Sequence, residues 1–145
     1  MLGILIGSEI QIKKLSYRVT AYVLYCSEGE YWAEWQLTNS VKQVFWLAQD
    51  SSGLTLYEEM PEKPTIDIYE AKVANVVKVN GADVWPIANY KATVIETRGD
   101  AGLRENDVEE VAELVNDSGR FAVVAHQHEL KLYKSELLTN KDVKI

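Results

Sequence analysis

Two histidines, His126 and His128, stand two residues apart. On a strand, alternate side chains point to one face, so both imidazoles would project together, as a sheet presents a pair of metal ligands. A carboxylate about four residues further on would complete such a site, but Leu132 and Tyr133 stand there, and the adjacent Glu129 points to the other face. The expectation is two solvated strand histidines, with no metal and no cofactor. The single cysteine, Cys26, is a second chemical candidate. A reactive thiolate needs a base or a positive charge beside it, whereas the predicted cross-strand neighbour is Glu30, so Cys26 is expected to be a quiet strand residue.

Carboxylates are abundant, and some pair will always lie close together, so abundance alone does not indicate acid-base catalysis. Glu58, Glu59 and Glu62 flank Pro61 and Pro64 and read as a solvated loop. Asp100, Glu105, Asp107, Glu109, Glu110, Glu113 and Asp117 are opposed only by Arg104. Such a segment is ordinarily a solvated face, and attraction of a cation or a polyamine is the functional alternative. The chain has no G-x-S-x-G elbow, no glycine-rich phosphate loop and no H-E-x-x-H. No catalytic residue is assigned.

The elements that must position these residues follow from composition and pattern. At 145 residues, with 47% hydrophobic and 26% charged side chains, the chain has the makeup of one globular domain, residues 1–145, large enough to fold without disulfide or metal. Four Trp and eight Tyr favour strands. A net charge of −7 repels a phosphate backbone, so no nucleic-acid partner is expected. One cysteine forms no internal disulfide, which points to a reducing, cytoplasmic compartment. The apolar opening, Met1 to Gly7, is shorter than a signal-peptide core and reads as a first strand. No run approaches the roughly 18 apolar residues of a membrane helix, although a membrane-bound partner is compatible with this.

Alternation is clearest from Tyr17 to Thr38. Tyr17, Val19, Ala21, Val23 and Tyr25 share a face, and Tyr31, Ala33, Trp35 and Leu37 do the same after Ser27-Glu28-Gly29. A three-residue loop with Gly29 left-handed pairs Cys26 with Glu30, Leu24 with Trp32, Tyr22 with Glu34 and Thr20 with Gln36. Both apolar sets then lie on one face. The other face carries Arg18, Tyr22, Trp32, Glu34 and Gln36, a mixture of aromatic and polar groups suited to a protein partner or to self-association. The competing reading makes Trp32 part of a second core layer.

Further hairpins follow. Val44 to Ala48 and Leu54 to Tyr57 are separated by Asp50-Ser-Ser-Gly53, and Val73 to Val79 is joined to Ala82 to Ile87 by Asn80-Gly81, the sequence of a type I′ turn. That turn opposes Lys78 to Asp83 and Val76 to Trp85. Tyr90 to Thr97 is a strand, and Arg98 to Glu105 a loop. Residues 107–115 have both helical spacing and hairpin logic; the hairpin, with Leu114 opposite Phe121, is favoured, and Leu130 to Leu138 is a last strand. The fold class is mostly β, with antiparallel hairpins forming a sandwich or a partly open barrel and at most one short helix.

The spacing of Tyr17-x-Val19, Tyr25, Gly29, Trp32-x-Glu34, Leu37, Phe45-Trp46-Leu47 and Gly53-Leu-Thr-Leu56 resembles the bacterial family numbered 4178 among domains of unknown function. Val76 to Gly81, Trp85 and Tyr90 resemble its second half. The resemblance implies a β-rich domain without agreed activity, often encoded beside spermidine-synthase-like enzymes and small membrane proteins. The functional expectation is a non-enzymatic accessory or protein-interaction domain. The alternative is a small-molecule-binding barrel for a cationic ligand such as a polyamine.

Overall fold

The computed structural model describes residues 2–73 and 75–145; Met1 and Ala74, each within a strand expected from sequence, lie outside them. The strands are β1 (Glu9–Ile12), β2 (Leu15–Ser27), β3 (Glu30–Thr38), β4 (Val44–Asp50), β5 (Gly53–Glu59) and β6 (Val77–Val79). Then come β7 (Ala82–Gly99), β8 (Val108–Asn116), β9 (Gly119–His126), β10 (Glu129–Leu138) and β11 (Val143–Lys144), the last after a 3-10 turn at Asn140–Asp142. Hydrogen-bonded neighbours run β11-β1-β2-β3-β4-β5-β10-β9-β8-β7-β6, and β2 also pairs with β7. The pairing order therefore closes on itself, which is barrel connectivity rather than that of a sandwich. Among the described residues, no helix is long and apolar enough to cross a membrane.

The chain divides into two compact units, the first made of the segment ending at Glu58 with Thr93–Asp107 and Glu136–Ile145, the second of Glu59–Ala92 with Val108–Ser135. In the first unit, Ile10, Ile12, Tyr17, Val19, Trp35, Leu37, Phe45 and Leu47 belong to one buried cluster. Pairing of Val19 with Leu37 and of Trp35 with Leu47 places these side chains on one sheet face.

The register of β2 on β3 corrects the sequence expectation. A two-residue turn, Glu28-Gly29, with φ of 50° and 79°, pairs Tyr25 with Trp32, Val23 with Glu34 and Tyr22 with Trp35. A bulge follows between Val19 and Ala21, and beyond it Val19 meets Leu37 and Arg18 meets Thr38. Because a bulge adds one residue to one strand, it reverses which alternate set faces which side. Tyr17 and Val19 lie on the Trp35 face, whereas Ala21, Val23 and Tyr25 lie on the opposite one. All five are buried, which is why unbroken alternation looked like a single face.

The opening residues are likewise no strand: residues 2–8 have no ladder, and the first strand begins at Glu9. The chain closes on a polar clasp. Thr139 donates its backbone N–H (2.8 Å) and its hydroxyl (3.2 Å) to the Asp142 carboxylate, while the Lys13 N–H reaches the Asp142 carbonyl at 2.8 Å. The Thr139 backbone bond, above all, holds the Asp142 carboxyl below its usual range, with Lys13 adding to the effect. A depressed folded-state value means that this stabilisation is present above the unfolded value, near pH 4, and is lost as pH falls through the folded one. Asp142→Asn keeps an acceptor but cannot titrate. Its melting temperature is therefore expected to fall less steeply than wild type between about pH 5 and pH 2, and parallel acid limbs in a thermal-melt series would refute this.

Candidate functional site

In the second unit, alternation along β8 puts Val108, Glu110, Ala112 and Leu114 on one face. Register extends that face over the neighbouring strands: Glu110, Ala125 and Leu130 form one row, and Ala112, Val123 and Leu132 the next. The segment after Pro64 crosses the sheet, and its Ile68 and Ala71 join Val79, Val84, Ala112, Leu114, Val123 and Leu132 in a buried cluster. Asn89 fixes this crossing by donating through Nδ2 to the carbonyls of Ile68 (3.0 Å) and Ala71 (2.8 Å). The Thr65 N–H donates to Asn80 Oδ1 at 2.7 Å.

The row holding Ala125 remains beside an open groove of about 810 Å³, walled by Thr65–Tyr69, Lys78, Val108, Glu110, Leu130 and the turn residues Gln127 and His128. Ala125 contributes only a methyl between Glu110 and Leu130, and this leaves the space. The volume lies in the range of small-molecule sites, roughly 300–1,000 Å³. The lining has the usual character of such sites, an apolar wall with a few polar groups. The Lys78 ammonium is engaged by Asp83 at 2.8 Å, and Asp67 Oδ1 accepts the Tyr69 N–H at 3.0 Å.

The first hairpin's residues are brought together only in part. Trp32, Glu34 and Gln36 share a face with Tyr25, Val23 and Ala21 by register, and Arg18, opposite Thr38, lies on it too. Trp32 stacks on Tyr25 (5.4 Å between centroids, 17° between planes) and donates its indole N–H to Glu34 Oε2 at 2.8 Å. Trp46 pairs with Gln36 and Tyr57 with Trp46, so both aromatics join this face. Tyr22 does not, which corrects the five-residue face: past the bulge it packs against Trp35 (5.8 Å) under the Arg98 guanidinium (5.8 Å). Burial, then Glu96, raises the Tyr22 hydroxyl above its usual range, with Arg98 opposing.

Across β2 from Glu34 stands Thr97, paired with Val23. Among the described residues its buried Oγ1 has no hydrogen-bond partner. An unsatisfied hydroxyl costs about 1–3 kcal/mol, so the near-isosteric Thr97→Val is expected to raise stability by about 1 kcal/mol, read as a higher urea midpoint; a lower midpoint would show that the hydroxyl is satisfied.

The histidine pair does not form as expected. His126 ends β9 opposite Glu129, while Gln127 and His128 make a two-residue turn with φ of 48° and 68°. His128 is therefore in a turn, not on the strand face of His126, and it borders the groove. Among the described residues no group of three or more His, Cys, Asp or Glu could hold a metal ion. Cys26 is half-buried and faces Tyr31 and Thr93 rather than Glu30.

The family described as Domain of unknown function (DUF4178) matches residues 5–139. The chain belongs to this family. The DUF4178 match spans both units and every strand except β11, so groove and aromatic face both lie within it. No match was found among curated proteins or among solved structures.

Proposed function

We propose that this DUF4178 domain is a binding module that holds a small molecule in the groove over Ala125. The observation that carries the reading is the groove itself: a volume of about 810 Å³ between a sheet face and a pinned crossing segment, with apolar walls and a few polar groups. Its acidic composition and single cysteine support a cytoplasmic setting. The experiment is a fragment screen by ligand-observed NMR on wild type and on Val108→Trp, which puts a large side chain at a position already 49% exposed. Hits that compete with one another and vanish in the variant are expected. Hits that survive it would place binding elsewhere.

A second reading, a protein-interaction face around Trp32, Glu34 and Gln36, is supported by the Tyr25–Trp32–Glu34 unit, whose aromatic and carboxylate are already oriented. Under it, Trp32→Ala weakens association by about 2 kcal/mol or more while the fold keeps most of its stability. Sedimentation beside a denaturant melt separates the two effects, and a large loss of stability with association unchanged would reject the face.

A further inference from the structure

The groove holds one carboxylate in an unusual position. Glu110 lies next to Ala125 in the sheet, and only 16% of its side chain is exposed. Among the described residues its ionic partner is Lys91, which is 72% exposed and 3.7 Å away, beyond hydrogen-bond range. Removing a carboxylate from water is costly unless hydrogen-bonded positive charge replaces the lost solvation. A long, exposed lysine at this distance contributes little, since exposed pairs are worth roughly 0–1 kcal/mol. The lysine that does line the groove, Lys78, is occupied by Asp83. His128 borders the mouth and is exposed, and Asp67 adds a second negative charge there. Ile66, Val108 and Leu130 supply the apolar wall beside Glu110.

We propose that the groove selects a protonated amine carried on an apolar body, with Glu110 as its counter-ion. This rests on the reading of the groove as a ligand site. An ammonium brings up to three N–H donors to a carboxylate that Lys91 does not hydrogen-bond, and its hydrocarbon part covers the wall that water now wets. Charge-assisted hydrogen bonds are about twice as strong as neutral ones, so the charged head supplies the selectivity and the apolar body the remaining contact. Lys91 acts as a weak competitor for the same oxygens.

The test compares phenethylammonium with 2-phenylethanol, which has the same body and no charge, by NMR titration of methyl-labelled protein read at Ala125 and Val108. In wild type the amine is expected to bind at least about tenfold more tightly than the alcohol. Glu110→Gln should erase that difference, and Lys91→Ala should preserve or increase it. Added salt should weaken the amine and leave the alcohol unchanged, a measurement that needs no variant. Equal binding of both probes at Ala125 would overturn the amine selectivity and leave the groove reading intact. Failure of both probes to shift these methyls would overturn the amine proposal, and the fragment screen would then decide the groove reading separately.

Discussion

Trp35→Ala is expected to destabilise the protein by about 3–5 kcal/mol, the usual cost of emptying a large buried aromatic site. Trp35 is 2% exposed, paired with Tyr22 on one side and Leu47 on the other, inside the principal cluster of the first unit. Strands on both sides are held by their own ladders, so the sheet is poorly placed to collapse into the space. In a urea melt this loss is a large fraction of the 5–15 kcal/mol that holds a typical domain together. A change below about 1 kcal/mol would contradict the role of Trp35 as a tightly packed core side chain.

Gly99→Ala should be comparably damaging, for a different reason. Gly99 has φ of +74°, and a Cβ there would lie 2.4 Å from the Thr20 carbonyl oxygen and 3.0 Å from the Ala21 Cα. Both atoms are backbone, and both belong to the bulge that divides the two faces of β2. Left-handed strain costs about 1–2 kcal/mol, and overpacking adds roughly 1–3 more. Gly29 is the control, with φ of +79° and nothing within 4 Å of the added Cβ. Gly29→Ala therefore carries the strain alone, and Gly99→Ala is expected to unfold at least about 1 kcal/mol more readily by urea midpoint. Equal losses in the two variants would remove the close approach of β7 to the bulge from the account.

These two positions also show what could be read from sequence. Trp35 lies at a buried position of an alternating run, so its place in a core was legible. The bulge beside Gly99 was not, because the residues on either side of it continue the same apolar alternation while switching faces. What sets it apart is a glycine in another strand, which no local pattern connects to Thr20. Turn chemistry was legible where it was typical. Asn80 and Gly81 adopt φ of 50° and 84°, and Lys78 meets Asp83 across the ladder as expected. Leu114 meets Phe121, and the ambiguous segment is strand from Val108 onward, with Asp107 just before it. Turns were misread where an ordinary residue takes a positive φ, as Glu28 and His128 do, because nothing in those side chains announces it.

The groove had no sequence signal as a unit, since its walls come from separated segments of common residue types. Asn89 was the nearest clue: an amide within a strand must find partners, and it finds two carbonyls of the crossing segment. The acidic stretch around residue 110 was visible, but reading it as one solvated face concealed that alternation turns Glu110 away from Glu109 and Val111 and into the groove.

The central claim, that the groove over Ala125 is where this domain binds its ligand, is tested most directly by mapping amide and methyl shifts of labelled protein during titration with a fragment hit. Saturable shifts centred on Ala125, Val108, Leu130 and Tyr69, and absent in Val108→Trp, are the predicted result. Saturable shifts centred instead on Trp32, Glu34 and Gln36, with the groove silent, would contradict it.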